Sequence, residues 1–499
     1  MSLALLTPLR LEARAVRAGA PGVRTVRTGM GPRRAQRAAT RLNGDHAAIG
    51  ILGFAGGLSD DLAAGDLVVA TEVRGPDGTT ELRGAELLAG MLRRRGLRVR
   101  TGPVVSRPRL VTGADRAGLA ADGAVAADME SAWLAPAAAG RPLAVVRAIV
   151  DTPGRELRRP LATLGGWRAA HRALREAAGV LAAWGEAIAP RRVVLAGPRA
   201  SCAGVERAID VVERLLEQHG PPLYVRKQIV HNAHVVADLE RRGVIFVDEI
   251  DEVPEGANVV FSAHGVSPEV RDEAVRRRLR TVDATCPLVS KVHAEARRFA
   301  GRGYTVVLVG HDGHDEVEGT RGEAPAAIRV VADVHEAATV EVDDPDRVAY
   351  LTQTTLAVDE TRDVIGALRE RFPRIVGPAS DDICYATQNR QDAVRALAPE
   401  CDVVLVVGSR NSSNSLRLVE VAERAGTSAR LIDDETEVDP AWLVNRRTVG
   451  LTAGASAPER LVARVLDALA VLGPLEVSER SVTVETTRFK LPPEMRRGN

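Results

Sequence analysis

The sequence predicts a chain of α/β domains built on parallel sheets, and two observations support this. Short runs rich in Val and Ile, bounded by Gly, Pro or Asp, recur along the chain, among them AAIGILGF, LAVVRAIV, RVVLAG and DVVLVVG. Stretches with helical spacing lie between them, as in GWRAAHRALREAAGVLAAWGEAIA. Buried strands that alternate with amphipathic helices are typical of parallel sheets.

Length and composition indicate an ordinary multidomain globular protein. The 499 residues predict two to four domains at about 100–200 residues per domain. The 67 basic and 66 acidic residues leave a net charge of +1, which argues against a broad surface for nucleic acid or membrane. No apolar run approaches the roughly 20 residues of a membrane span, and we expect no signal peptide. Four cysteines are too few for a secreted disulfide scaffold, so we expect a cytoplasmic protein.

The main domain boundary is predicted near residue 190. A long helical pattern ends at Pro190, and the next strand pattern begins at Val193. This gives one domain over 1–188 and a second over 193–497. Three times in the second domain, an apolar strand leads into a turn that carries a cysteine, and a helical pattern follows. We therefore predict three lobes, at about 193–286, 287–380 and 381–475, and a C-terminal tail.

The three cysteines of these turns are candidate metal ligands. Cys202, Cys286 and Cys384 each fall near the start of a predicted helix. Backbone N–H groups and the helix dipole at such an end favour the thiolate, which is the form that binds metal. Similar lobes could bring the three ends to one centre, although buried or incidental cysteines remain an alternative. Cys401 begins the strand CDVVLVVG, and we expect it to be a plain core cysteine.

Polar motifs that suit an anionic ligand accompany the cysteines. Histidines occur in the motifs IVHNAHVV, FSAHGVS and GHDGHDEVEGT, and hydroxyl and amide side chains crowd into TQTT, GSRNSSNS and TAGASAP. Such donors in strand-to-helix turns can bind a diphosphate. A small molecule that carries a diphosphate is therefore the expected substrate.

Residues from about 193 to 497 resemble the 4-hydroxy-3-methylbut-2-enyl diphosphate reductase family, which carries out the last step of the non-mevalonate isoprenoid pathway. The resemblance rests on ordered motifs: CAGVERAI, YVRKQIVHN, FSAHGVS, DATCPLV, KVH, GHDGHDEVEGT, TQTTL, DDICYATQNRQ, VVGSRNSSNS and TAGASAP. It implies a three-lobed α/β fold around one 4Fe–4S cluster per chain. It also implies reductive removal of a hydroxyl group to give isopentenyl and dimethylallyl diphosphate. Electrons are expected from a ferredoxin or flavodoxin, because no dinucleotide fingerprint stands out.

The resemblance also assigns roles to single residues. Cys202, Cys286 and Cys384 match the cluster ligands, and three thiolates leave one iron open as a Lewis acid. Glu316 matches the carboxyl group that delivers a proton, and Thr354 lies beside the substrate hydroxyl. Nearby diphosphate charge is expected to raise the pKa of Glu316. The residues matched to diphosphate binding are His231, His264, His314, Ser412, Ser413, Asn414 and Ser456.

Two positions depart from the family pattern, and one other function stays open. Ala200-Ser201 stands where the family usually has Gly-Phe, which could alter how the Cys202 loop covers the cluster. Asp315 replaces a usual proline, and its carboxylate could weaken diphosphate binding or point away. The alternative function is a non-redox module in which the cysteines hold zinc. A structural zinc normally takes four Cys or His ligands, however, and only three cysteines match.

Residues 1–188 resemble the purine nucleoside phosphorylase and nucleosidase superfamily, including its hopanoid-associated branch. The motifs are RTGMGPRRAQRAA, ILGFAGGLSDDLAAGDLVVA, VAADMESAWLA and VVRAIVDTPG. The resemblance implies cleavage of an N-glycosidic bond, with Asp151 protonating the purine and Glu130 binding the ribose hydroxyls. It places Met129 beneath the sugar and implies that Glu12 positions the nucleophile.

The sequence leaves several questions about this half open. It does not choose between water and phosphate as nucleophile, and a degenerate, non-catalytic domain is an alternative. Asp151 could instead cap a helix, and Glu130 could be a buried partner of an arginine. The half contains no tyrosine and four other aromatic residues, so a stacking platform for a purine is not obvious.

Overall fold

The computed structural model describes residues 2–42, 46–155 and 160–496. The chain forms two compact units. Unit 1 comprises 1–193, 434–448 and 463–477, and unit 2 comprises 194–433, 449–462 and 478–499. The predicted domain limits Met1 and Arg497 lie outside the described residues. Residues 434–448 and 463–477 belong to unit 1, although they lie after the predicted domain boundary in the sequence.

Unit 1 contains one eight-stranded sheet. Its strands are β1 (Ser2–Thr7), β2 (Arg24–Arg27), β3 (His46–Gly57), β4 (Leu67–Gly75), β5 (Gly78–Glu81), β6 (Val99–Ser106), β7 (Ala126–Asp128) and β8 (Leu143–Asp151). The order is β2-β1-β3-β7-β6-β4-β5, and β8 pairs with both β3 and β4. Most pairs are parallel, as predicted, whereas β3–β7, β4–β5 and β4–β8 are antiparallel.

The helices of unit 1 flank this sheet and share its core. They are α1 (Arg10–Gly19), α2 (Pro32–Arg41), α3 (Ala85–Arg94), α4 (Ala114–Ala121), α5 (Ser131–Leu134) and α6 (Pro160–Glu186). Helices α1 and α6 pack closely where Gly19 meets Arg175. A Cβ on Gly19 would lie 1.9 Å from the Arg175 carbonyl oxygen, so this approach requires glycine. The long apolar strand β3 supplies the buried Ile49 and Ile51 to the core.

Unit 2 is built from three separate sheets, the same number as the predicted lobes. The strand Arg191–Gly197, at the start of the predicted first lobe, pairs in the third sheet instead. The strands are β9 (Arg191–Gly197), β10 (Leu223–Arg226), β11 (Val244–Val247), β12 (Asn258–Phe261), β13 (Arg280–Asp283), β14 (Thr305–Val309), β15 (Ile328–Val331), β16 (Val348–Thr352), β17 (Val403–Val407), β18 (Ala429–Ile432), β19 (Thr448–Ala453) and β20 (Leu475–Ser481). They are ordered β11-β10-β12-β13, β15-β14-β16 and β18-β17-β19-β9-β20. Strand β9 begins two residues before the predicted start at Val193.

The helices of unit 2 follow its strands and cover the sheets. They are α7 (Ala203–His219), α8 (Ala233–Arg241), α9 (Pro268–Arg276), α10 (Pro287–Ala300), α11 (Asp315–Gly322), α12 (Val334–Thr339), α13 (Val358–Arg371), α14 (Tyr385–Leu397), α15 (Ser413–Arg424) and α17 (Pro493–Arg496). Helix α16 (Glu459–Ala470) begins in unit 2, and its residues from 463 onward are grouped with unit 1. Each sheet has its own hydrophobic core. Among the described residues, no helix is long and apolar enough to cross a membrane.

Candidate active sites

The three candidate metal ligands each occupy the N-cap of a helix in unit 2. Cys202 precedes α7, Cys286 precedes α10 and Cys384 precedes α14. The predicted position at a helix start is confirmed for all three. Cys401 instead packs against the core of the third sheet, as expected for a core cysteine.

One cavity of unit 2, of about 100 Å³, is lined by all three of these cysteines. A Cβ built on Gly204 would lie 2.8 Å from Cys286 Sγ and 3.8 Å from Cys202 Sγ. The first turn of α7 therefore has room for these sulfur atoms only because residue 204 is glycine.

Burial dominates the acid–base behaviour of the Cys286 and Cys384 thiols. It raises the pKa of Cys286 to about 12, and the charges of Cys202 and Cys384 add to the effect. It likewise raises the pKa of Cys384 to about 11, although the Thr387 backbone N–H donates to Cys384 Sγ at 3.3 Å. The backbone N–H groups at these two helix starts do lower the pKa of their thiols, as expected, but burial outweighs them. A metal must displace these protons, and its charge then compensates the buried thiolates.

Glu316 is a buried carboxyl group in the same cavity. The Thr354 backbone N–H donates to Oε1 at 2.7 Å, and Thr354 Oγ1 donates to Oε2 at 3.0 Å. Burial raises the pKa of Glu316 to about 7. The carboxyl can therefore hold a proton near neutral pH before any diphosphate is bound, whereas the sequence attributed this effect to diphosphate charge.

Three imidazoles form a compact group beside the carboxyl. The rings of His231 and His264 stack with centroids 3.9 Å apart, and His314 lies edge-on at 5.2 Å from His231. Burial lowers the pKa of all three, that of His314 to about 3. His314 Nδ1 accepts the Glu316 backbone N–H at 3.1 Å. The three rings are therefore neutral in the ligand-free cavity, and His314 Nε2 carries the proton.

Hydroxyl and amide groups complete the lining of this cavity. Ser456 Oγ donates to the His231 carbonyl at 2.9 Å and lies 3.3 Å from Ser412 Oγ. Asn414 Oδ1 accepts the Ala455 N–H at 2.9 Å. Ser412 caps α15, so the helix N-terminus faces the same polar group. The cavity brings together all twelve reductase residues predicted from the sequence: Cys202, Cys286, Cys384, Glu316, Thr354, His231, His264, His314, Ser412, Ser413, Asn414 and Ser456.

Sequence reasoning missed two side chains that support the cavity. Asp382 accepts the Thr352 N–H at 3.1 Å and lies 3.2 Å from Lys291 Nζ, and burial raises its pKa to about 6. The fully buried Arg390 of α14 donates to the Ala200 carbonyl at 2.6 and 3.0 Å. It thereby ties the helix capped by Cys384 to the loop before Cys202. Both residues lie inside the motif DDICYATQNRQ, whose spacing alone gave no sign of these contacts.

The two positions that depart from the family pattern have distinct structural consequences. Ala200 adopts φ of +60°, in the left-handed region that favours glycine. Asp315 points toward the imidazoles rather than away, because its Oδ2 lies 3.9 Å from both His231 Nε2 and His264 Nδ1.

A separate cavity of unit 1 contains the four residues predicted for the first half: Glu12, Met129, Glu130 and Asp151. Glu12 Oε1 accepts the Phe54 N–H at 2.7 Å, and Oε2 accepts the Leu9 N–H at 2.5 Å. Burial raises the pKa of Glu12 to about 7. Glu130 accepts the Gly31 N–H at 2.9 Å, and burial raises its pKa as well. The cavity therefore holds two carboxyl groups of raised pKa.

Asp151 ends strand β8, and the described residues that follow it directly, 152–155, form no helix, so the helix-cap interpretation is wrong. It forms a buried ion pair with Arg116. In the same unit, Arg147 pairs with Asp128 at 2.5 Å, and its charge also acts on Glu130, lowering the pKa of that carboxyl against the larger effect of burial.

An aromatic pair, which the sequence did not reveal, lines the same cavity. Phe54 and Trp167 meet edge to face with ring centroids 5.1 Å apart. The two residues are 113 positions apart in sequence, so the sequence gave no sign that they line the same surface. An apolar wall suited to a planar ring is therefore present.

Comparison with known proteins distinguishes the two parts of the chain. Residues 193–470 match the family described as LytB protein, and residues 11–183 match the Phosphorylase superfamily. The chain is 60% identical over 307 residues to 4-hydroxy-3-methylbut-2-enyl diphosphate reductase of Nocardia farcinica, which covers 61% of this chain and 91% of that protein. The corresponding enzyme of Acidothermus cellulolyticus is 60% identical over 308 residues, 62% of this chain and 91% of that protein. The structure of the Plasmodium falciparum reductase shares 35% identity and a TM-score of 0.59, covering 61% of this chain and 97% of the other.

Proposed function

Because the chain belongs to the LytB protein family, with residues 193–470 as the matching region, we propose that unit 2 reduces 4-hydroxy-3-methylbut-2-enyl diphosphate to isopentenyl and dimethylallyl diphosphate. The observation that carries the proposal is the cavity itself. It places three thiols, a carboxyl group of pKa about 7 and three neutral imidazoles around one space. Removing a hydroxyl group as water from a diphosphate ester needs an electron source, a proton donor and an anion site, and each has its residues here.

The residues of this chain fit the 4Fe–4S cluster that the family uses. Cys202, Cys286 and Cys384 would hold it, and Gly204 leaves the space that a side chain would fill. When bound, the cluster supplies electrons and an iron that is open to the substrate hydroxyl. The thiols must remain reduced to act as ligands, and Cys202, Cys286 and Cys384 form no disulfide in the structure. Accordingly, we place the reaction in the reducing cytoplasm.

Glu316 and Thr354 supply the proton in this proposal. Oε1 of Glu316 already accepts the Thr354 N–H, so the proton is held on Oε2. Once Oε2 is protonated, the 3.0 Å hydrogen bond to Thr354 Oγ1 reverses, and Oγ1 accepts from Oε2. The Thr354 hydroxyl can then give its own proton to a hydroxyl group in the cavity as it takes up the proton of Glu316. Burial of both residues excludes bulk water from this step.

The imidazoles and the polar loops hold the diphosphate. His314 Nε2 has no hydrogen-bond partner among the described residues and carries a proton, so it can donate to a phosphate oxygen. The hydroxyl groups of Ser412 and Ser456 and the N-terminus of α15 add further donors. We propose a ferredoxin or flavodoxin as the electron donor, because the sequence shows no dinucleotide fingerprint.

An anaerobic preparation of the full chain tests this function directly. We expect a brown protein with four iron atoms per chain and a charge-transfer band at about 400 nm. Reduced by ferredoxin or flavodoxin, it should convert the substrate to both diphosphate products, detected by mass spectrometry. A colourless, zinc-containing protein without turnover would contradict the proposal. Efficient turnover with NADPH alone would contradict only the choice of donor.

For unit 1, the structure supports a second activity, cleavage of the N-glycosidic bond of a purine nucleoside. Glu12, Glu130 and Asp151 meet in one cavity beside the Phe54–Trp167 wall. Carboxylates beneath a sugar stabilise the positive charge that develops on it in the transition state. Asp151 is the proton donor in this proposal, and its pairing with Arg116 must loosen before the proton moves.

This second activity is tested with the full chain and three substrates: methylthioadenosine, adenosylhomocysteine and an adenosyl-polyterpene. We expect adenine release from at least one, and loss of that release in Asp151→Asn. Reductase turnover of the same variant is the internal control for folding. Stimulation by phosphate would identify a phosphorylase, whereas indifference to phosphate would identify a hydrolase. No release from any substrate would indicate a degenerate, non-catalytic domain.

A further inference from the structure

The feature of unit 2 that its proposed reaction does not use is the carboxylate of Asp315. Its Oδ2 lies 3.9 Å from His231 Nε2 and 3.9 Å from His264 Nδ1. One nitrogen of each imidazole and one oxygen of Asp315 all lie within 4.8 Å of one another. Asp315 occupies the first turn of α11, whereas His231 precedes α8 and His264 follows β12. Three separate segments therefore converge on one point.

We propose that His231, His264 and Asp315 form a site for one divalent transition-metal cation of the zinc class. Two imidazole nitrogens and one carboxylate oxygen are a ligand set that suits zinc and its neighbours. Neighbouring ligands of a tetrahedral zinc are about 3.4 Å apart, given bonds of about 2.0–2.2 Å. The observed 3.9 Å separations thus need only a small side-chain rotation to close.

The state of the histidines supports this site independently of the distances. Both ring nitrogens of His231 are buried and have no hydrogen-bond partner among the described residues. A buried imidazole without a partner is unfavourable, and a bound cation would satisfy it.

A divalent cation would balance the negative charge of a diphosphate in this cavity. Among the described residues that line it, none is lysine or arginine, whereas Glu316 is acidic and Asp315 adjoins the histidines. A diphosphate carries several negative charges, and a divalent cation beside it would supply the positive charge that the lining lacks. With three protein ligands, a tetrahedral cation keeps one position open for a phosphate oxygen.

Metal binding tests the site without reference to turnover, so failure here is distinguishable from failure of the proposed reductase function. Cluster-loaded full chains of equal iron content, stripped of other metals, are dialysed anaerobically against Zn²⁺, and bound zinc is measured by elemental analysis. We expect one zinc per wild-type chain and at least about 10-fold weaker binding in Asp315→Ala, because one of three ligands is lost.

Asp312→Ala is the matched control, since Asp312 is an exposed carboxylate in the same loop with only a long contact to Arg321. Its zinc binding should equal that of the wild type. The proposal is overturned if wild type binds no zinc beyond the cluster-loaded baseline, or if Asp315→Ala binds it as tightly. Equal loss in Asp312→Ala and Asp315→Ala would also overturn it, because the effect would then be one of general surface charge.

Discussion

Each of the two cavities contains a buried glutamate of raised pKa, but the groups around that glutamate differ between the cavities. In unit 2, Glu316 accepts two hydrogen bonds from Thr354, and in unit 1, Glu12 accepts two backbone N–H groups. Burial raises the pKa of each carboxyl to about 7. Glu316 lies among neutral imidazoles and hydroxyl groups, whereas Glu12 lies among further carboxyl groups.

This difference shows which charge each cavity can stabilise. The donors around Glu316 suit an anionic ligand, and a protonated Glu316 adds no negative charge to it. The acids around Glu12 suit positive charge that develops on a sugar, and two of them are already compensated by Arg147 and Arg116. A raised pKa allows a carboxyl group to exchange a proton near neutral pH, and its neighbours decide whether the group acts as an acid or a base.

Loss of a single cluster ligand should have the largest effect and should separate the two cavities completely. We expect Cys202→Ser, Cys286→Ser and Cys384→Ser each to lose the iron chromophore and reductase turnover, because three thiolates hold the cluster. Adenine release by unit 1 should be unchanged. Cys401→Ser is the matched control and should keep both chromophore and turnover, since Cys401 packs in the third core. Retention of full iron content by any of the first three would remove that residue from the ligand set.

Glu316→Gln should leave the cluster intact and lower reductase turnover by about 10²–10⁴, the usual contribution of a positioned proton donor. Because the protonated form is required, wild-type turnover should fall as pH rises through about 7. The measurement is steady-state turnover against pH, with iron content determined for each sample.

Glu318→Gln is the control for this substitution, because Glu318 is exposed on the same helix α11. It should behave as wild type at every pH. A wild-type pH profile for Glu316→Gln would exclude Glu316 from proton delivery.

Glu12→Gln should lower adenine release by about 10²-fold if Glu12 orients or deprotonates the nucleophile. This role needs the ionised carboxylate, so wild-type release should increase as pH rises toward about 7, opposite to the reductase. Both activities can be followed in one preparation across one pH series. Glu176→Gln, at a half-exposed position of α6, should change neither activity. If both activities changed with pH in the same direction, Glu316 and Glu12 would not act in opposite protonation states.

Ala200→Gly should have the smallest effect, a modest gain in stability confined to the reductase half. A non-glycine residue in the left-handed region costs about 1–2 kcal/mol, partly offset by the backbone entropy of glycine. We expect a net gain of up to about 1 kcal/mol, measured as a higher midpoint of thermal unfolding. Ala367→Gly, in the middle of helix α13, should instead be destabilised by about 1 kcal/mol. Destabilisation by Ala200→Gly would show that this loop is held by more than its backbone conformation.

Local sequence was sufficient to predict the strands, the helix starts at the cysteines and the three-lobed organisation. The signals are short-range: apolar runs such as VVLVV form β17, and each cysteine turn leads directly into a helix. The antiparallel pairings of β3 with β7 and of β4 with β8 were not predictable, because strand order depends on contacts between distant segments. The aromatic wall of Phe54 and Trp167 was missed for the same reason.

The sequence by itself determined which residues can do chemistry here, because thiols, imidazoles and carboxyl groups are properties of residue type. Only the tertiary structure decided their protonation and their partners. Burial, which is set by the whole fold, raises the pKa of Glu316 and Cys286 and lowers that of His314. Likewise, only the convergence of three segments brings Asp315 to His231 and His264, since a carboxylate can contact imidazoles 84 and 51 positions away in sequence only after the chain has folded.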